Sequence, residues 1–121
     1  MKALILAIFL LLSFGSLSQE VINEKDFDEK LSDDIVLIEF YAEWNKSNCV
    51  DLTVFKDVKT YMVDIDNSPS LKTAYKIVSV PTIIIFYNKE VVEKYEADLT
   101  FQLPIKAPKK KIEELVLKKF M

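Results

Sequence analysis

The sequence predicts an α/β domain built on a central mixed sheet with flanking helices. Ile35 to Tyr41 is a near-continuous apolar run, which reads as a strand buried on both faces and so as a member of a parallel sheet. Segments with helical spacing alternate with it and with later strand candidates. A final pair of strands joined at Asn88-Lys89 adds a hairpin, so pairing has to switch from parallel to antiparallel within the sheet. With 121 residues, half of them hydrophobic, one domain can bury a real core without metals or disulfides.

The chain opens with Met1-Lys2, an almost unbroken apolar stretch from Ala3 to Phe14, and the small residues Gly15, Ser16 and Ser18. This reads as a secretory signal peptide over residues 1–18, leaving a domain over 19–121 that begins at Gln19. The apolar run is too short for the roughly 20 residues a spanning helix requires, so no stable membrane insertion is expected after cleavage. No cysteine lies near the cut, which removes lipidation there, and the product is expected to be secreted or periplasmic.

Val21-Ile22 reads as a short edge strand. Asn23 then offers a helix N-cap with Asp26 in the first turn, and Phe27 and Leu31 supply the buried stripe. Asp33-Asp34 separates this helix from the Ile35–Tyr41 strand. Val58 to Ile65 is a further strand candidate, ended by Asp66-Asn67. Ser68-Pro69 offers an N-cap with proline at the first helical position, and Leu71, Ala74 and Tyr75 continue at helical spacing. Thr82 to Tyr87 is a third buried strand, Asn88-Lys89 a tight turn, and Val91-Val92 the returning strand. Pro108 is expected to open a last helix with Ile112, Leu115, Val116 and Phe120 on one face and Lys109 to Lys111, Lys118 and Lys119 toward water.

All 16 basic residues are lysine, histidine is absent, and loss of Lys2 takes the formal charge from −3 to −4. That balance argues against nucleic acid as a partner. Without histidine, a Ser-His-Asp hydrolase and imidazole-ligated metal sites are excluded, and no metal or other cofactor is expected. The only cysteine is Cys49, so no disulfide can form within the chain.

Val36 to Trp44, reading Val-Leu-Ile-Glu-Phe-Tyr-Ala-Glu-Trp, resembles the strand that leads into the active site of thioredoxins and protein disulfide isomerases. Val21 to Leu31 is similar to the family's first strand and helix, Val63-Asp64-Ile65-Asp66 to its central strand end, and Val80-Pro81-Thr82 to its cis-proline loop. These segments cover nearly the whole domain in the family's order. The resemblance implies a thioredoxin-like fold, here with a shortened second helix, because the stretch between Cys49 and the central strand is too short for the family's long second helix. Val50, Leu52, Val54 and Phe55 would supply about two helical turns.

Three departures from the family pattern bear on function. The tryptophan of the resembling enzymes is followed by Cys-x-x-Cys, whereas Trp44 is followed by Asn45-Lys46-Ser47-Asn48 and then Cys49. The family's chemistry needs a stabilised thiolate and a second thiol that resolves the mixed disulfide, and asparagine can be neither. Glu39 matches the family's buried acid, yet the lysine that accompanies it is replaced by Met62. An unpaired buried carboxyl should titrate above its ordinary value, so Glu39 reads as a vestige of the proton shuttle. The third departure is an added segment, Ala97 to Ala107, whose alternating apolar residues suit an extra edge strand or a cover for a sheet face left bare by the short helix.

The resemblance implies that Val80-Pro81 either leaves the Val80 N–H and C=O free to pair with an extended peptide or merely fixes a turn. Three functions follow. A thiol-independent binding module would hold an extended or unfolded peptide, or a partner protein, at Trp44, Asn45, Asn48, Val80 and Pro81. A monothiol oxidoreductase would use Cys49 at a helix start. A structural role would link two copies through Cys49 as a covalent homodimer.

Overall fold

The computed structural model describes residues 20–120. The leader expected over residues 1–18 lies outside the described residues. Among the described residues five strands form one sheet: β1 (Glu20–Val21), β2 (Ile35–Tyr41), β3 (Lys59–Asp64), β4 (Thr82–Tyr87) and β5 (Glu90–Glu96). Their spatial order is β1-β3-β2-β4-β5. β3 runs parallel to both β1 and β2, while β4 pairs antiparallel with β2 and β5. The helices are α1 (Phe27–Lys30), α2 (Pro69–Ala74) and α3 (Lys106–Lys119).

β2 lies at the centre, and all seven of its residues are buried. Its alternation divides the core in two. Val36, Ile38 and Phe40 face α1 and α2 with Ile84 and Phe86, and there the Phe27, Phe40, Tyr75 and Phe86 rings cluster. Phe27 meets Phe86 edge to face at 5.9 Å and Tyr75 meets Phe86 at 5.6 Å. Ile35, Leu37 and Tyr41 point the other way, with Ile83 and Ile85, and are covered by residues 50–55 and by Ile112 and Leu115 of α3. Glu39 belongs by parity to this second face.

Local chemistry moves several boundaries. Asn23 caps a turn rather than the helix, its Oδ1 accepting the Asp26 N–H at 3.1 Å, and α1 begins at Phe27. Ser68 is buried and makes no side-chain cap; the Ser70 N–H of the first turn of α2 donates instead to Glu24 Oε1 at 2.9 Å. α3 starts at Lys106, two residues before Pro108, which the first turn accommodates because its N–H groups lack helical partners. Phe120 lies past the end of α3 and is 81% exposed, so the apolar stripe stops short of it.

The second helix is reduced further than its expected two turns, to two 3₁₀ stretches over Glu43–Asn48 and Leu52–Val54. Cys49, between them, is extended at φ −61° and ψ 144°. The Asp51 side chain accepts the Thr53 N–H at 3.1 Å and starts the second stretch. Side-chain bonds thus pin each end of this segment and leave no run long enough for an α-helix.

Residues 97–107 do not extend the sheet. Asp98 Oδ1 accepts the Thr100 N–H at 2.8 Å, the Gln102 N–H at 3.2 Å and the Thr100 hydroxyl, which curls the chain out of register. Phe101 takes a left-handed conformation at φ 62° in the process. The cover expected of this segment is present in part, since Leu103 is buried and Ile105 packs against the second core cluster.

Candidate functional site

Beyond the C-terminal end of β2 the chain turns through Ala42 into the Trp44 loop. Trp44 is 67% exposed and rests edge to face on Phe101, with ring centroids 5.4 Å apart. The opposite wall is the segment after α2, where Val78 is 82% exposed. Between them lies a groove of about 680 Å³, bordered by Trp44, Ile77, Val78, Leu99 and Phe101, with Val80 at its floor. Leu99 projects almost fully into solvent at its rim, 99% exposed. Asp66, Lys72 and Asp98 supply the charged groups around this apolar lining.

Asn45 does not face the groove as a surface donor. It is 2% exposed, and its Nδ2 donates to the Val80 carbonyl at 2.8 Å. Its Oδ1 accepts from Nδ2 of the exposed Asn48 at 2.6 Å. A hydrogen-bonded asparagine pair therefore occupies the two positions that a Cys-x-x-Cys motif would fill after Trp44. The Val80 carbonyl, free in one of the two readings of Val80-Pro81, is engaged because the buried amide needs an acceptor. Among the described residues the Val80 N–H has no acceptor. The Val80–Pro81 peptide bond is cis, and both residues are buried.

Cys49 and Glu39 sit apart from the groove lining, on the second face of the sheet. Glu39 is fully buried; its Oε2 accepts the Val50 N–H at 2.6 Å and its Oε1 has no partner. Met62 of β3 and Ile83 of β4 stand directly beside it in register, both apolar. Burial pushes the Glu39 carboxyl up to about 7, against the opposing pull of the Val50 N–H. Cys49 is half-buried, and its thiol is pushed up to about 12, first by burial and then by the negative charge of Glu39. A thiol in that range is protonated at neutral pH and is a poor nucleophile.

Trp44 and Val80 thus line one groove, whereas Asn45, Asn48 and Pro81 are not among its lining residues: Asn45 is tied to the Val80 carbonyl, Asn48 to Asn45, and Pro81 follows Val80. Phe101 and Leu99 complete the groove. No motif marks these two residues; the only signal was the apolar alternation of the added segment, and which of its side chains reaches Trp44 depends on the Asp98 turn.

A mixed five-stranded sheet that carries a tryptophan loop and an X-Pro turn at one end defines a protein of the thioredoxin fold. The chain belongs to the thioredoxin family: the Thioredoxin family model matches residues 18–106. It is 32% identical over 83 residues to a thioredoxin of Chlamydia trachomatis, covering 62% of this chain and 80% of that one. Similarity to a thioredoxin of Staphylococcus epidermidis is 27% over 81 residues, covering 60% and 78%. Among solved structures, a thioredoxin variant from Halobacterium salinarum superposes with a TM-score of 0.63 at 26% identity, over 80% of this chain and 89% of that one. The oxidised mitochondrial thioredoxin of Saccharomyces cerevisiae does so at 0.62 and 20% identity, over 80% and 95%, a likeness of fold alone.

Proposed function

We propose that this thioredoxin-family protein is an exported, thiol-independent binding module that holds an extended or unfolded peptide, or an extended segment of a partner protein, in the groove beside Trp44 and Val80. The observation that carries this reading is the Asn45–Asn48 pair, which stands where dithiol chemistry would need sulfur while an apolar groove remains open next to it. Electron-pair exchange between a dithiol and a disulfide requires two neighbouring cysteine thiols, and the chain has one. The high value of the Cys49 thiol weighs against a monothiol mechanism as well. Exposed apolar side chains flanking an unpaired main-chain donor suit strand-like recognition, in which backbone bonds give affinity and side-chain pockets give selectivity. Export rests on the charged start, apolar run and small residues before Gln19.

The test is a titration of the isotope-labelled protein with a capped heptapeptide, threonine-rich with a central leucine, followed by amide chemical shifts. Saturable shifts centred on Trp44, Val78, Val80 and Phe101 are expected. Absence of shifts at millimolar peptide, or insulin-disulfide reduction at rates typical of thioredoxins, overturns the proposal.

A further inference from the structure

The Asn45 side chain is nearly fully buried, and both ends of its amide are engaged: Nδ2 with the Val80 carbonyl at 2.8 Å and Oδ1 with Asn48 at 2.6 Å. The neighbouring Val80 N–H is the converse, a main-chain donor in a residue only 3% exposed and without an acceptor among the described residues. Orphaned donors in so buried a residue are rare, because burial without a partner costs free energy. Close by, the Ser79 hydroxyl is also buried with no partner. The groove lining thus includes two buried donors without a partner among the described residues, while the Val80 carbonyl already accepts from Asn45.

An extended peptide laid beside Val80 in the manner of a β-bridge offers both an N–H and a C=O at a single residue. With the Asn45 amide already seated on the carbonyl of Val80, the C=O of such a ligand meets an open partner in the Val80 N–H, while its N–H meets an acceptor already in use. We propose that Asn45 is a specificity-determining residue: its amide stands in for half of a ligand's backbone, so the groove engages an extended peptide through one main-chain hydrogen bond, donated by Val80, instead of two. This rests on the peptide-binding reading above. Selectivity then shifts from backbone pairing to the side chain seated among Val78, Leu99, Phe101 and Trp44. The favoured ligand is an extended segment with a bulky apolar residue at the pairing position; whether its own amide carries a hydrogen there is immaterial.

The experiment compares two peptides on wild type and on Asn45→Ala, which uncovers the carbonyl. One is the capped heptapeptide with a central leucine; the other is the same peptide N-methylated at that leucine. For wild type, methylation is expected to change Kd by less than about twofold, since no protein acceptor awaits that amide. For Asn45→Ala the unmethylated peptide should bind about fivefold tighter than to wild type, and methylation should cancel the gain, the effect of one net hydrogen bond. An equal methylation penalty on both proteins overturns the inference while leaving peptide binding intact. Failure of both peptides to bind wild type overturns the peptide reading, and this inference with it. Asn45→Ser repeats the comparison if the alanine variant melts early. Wild type alone gives a further test: the Asn45 side-chain amide should stay protected from hydrogen exchange at saturating peptide, and loss of that protection would mean the ligand displaces it and the inference fails.

Discussion

The Glu39 carboxylate accepts the Val50 N–H at 2.6 Å, tying the centre of β2 to the segment that replaces a second helix. This bond holds one oxygen of a fully buried carboxyl whose other oxygen has no partner. Ionisation is therefore opposed by burial more than it is helped by the bond, and the folded value is pushed from 4.5 up to about 7. Between those values the folded state binds more protons than the unfolded one, so stability falls as pH rises through the window and levels off above it. At about 1.4 kcal/mol per pH unit the total is on the order of 3 kcal/mol. Urea unfolding at pH 5 and pH 8 should show this loss, and Glu39→Gln should remove it. A wild type equally stable at both values would contradict the buried, unpaired carboxyl.

Cys49 is expected to be inert in the folded protein. Its thiol is pushed up to about 12, so iodoacetamide labelling at pH 7.5 should be at least about 100-fold slower than in urea. Mass spectrometry of quenched time points measures this. Folded-state labelling as fast as in urea would restore the monothiol mechanism.

Trp44 and Phe101 hold the mouth of the groove together by an edge-to-face contact. Phe101→Ala should cost about 0.5–1.5 kcal/mol and shift Trp44 emission to longer wavelength as the indole gains water. Phe101→Gly loses the same ring but is free of the steric penalty at φ 62°, so it should be more stable than Phe101→Ala by about 1 kcal/mol. Thermal melts of the pair separate the two effects; a glycine variant no more stable than the alanine variant would remove backbone strain from the account.

The β4–β5 turn makes a related prediction. Asn88 and Lys89 have φ values of 51° and 70°, the left-handed pair that a two-residue hairpin requires. Asparagine tolerates this conformation better than lysine does. Lys89→Gly should therefore stabilise the protein by about 1 kcal/mol, read as a raised Tm. Unchanged or lowered stability would show that the Lys89 side chain contributes more than its backbone costs.

Much of the fold was legible because burial leaves a period in the chain. The runs Ile35–Tyr41 and Thr82–Tyr87 coincide with β2 and β4, since strands covered on both faces carry apolar residues without interruption. The Asn88-Lys89 turn was legible from residue type and its place between two strands. Boundaries set by local detail were not: Asn23 caps a turn ahead of α1, Glu24 rather than Ser68 serves the first turn of α2, and α3 starts two residues before Pro108. The second helix illustrates this best. Its apolar residues permit two helical turns, but Glu39, Asp51 and Asn45 capture neighbouring groups and leave two 3₁₀ stretches.

From sequence alone it was determined that the chain carries a single thiol, places asparagine at both positions where dithiol exchange would need cysteine, and orders its segments as the thioredoxin family does. These are matters of residue identity and order, which no packing can alter. Only the tertiary structure decided that Asn45 turns inward to the Val80 carbonyl, and that Phe101 of the added segment comes to rest on Trp44. Asn45 and Val80 are separated by 35 positions. Contacts at such range arise from how the sheet brings its loops together, and a buried amide takes whichever acceptor that assembly leaves within reach.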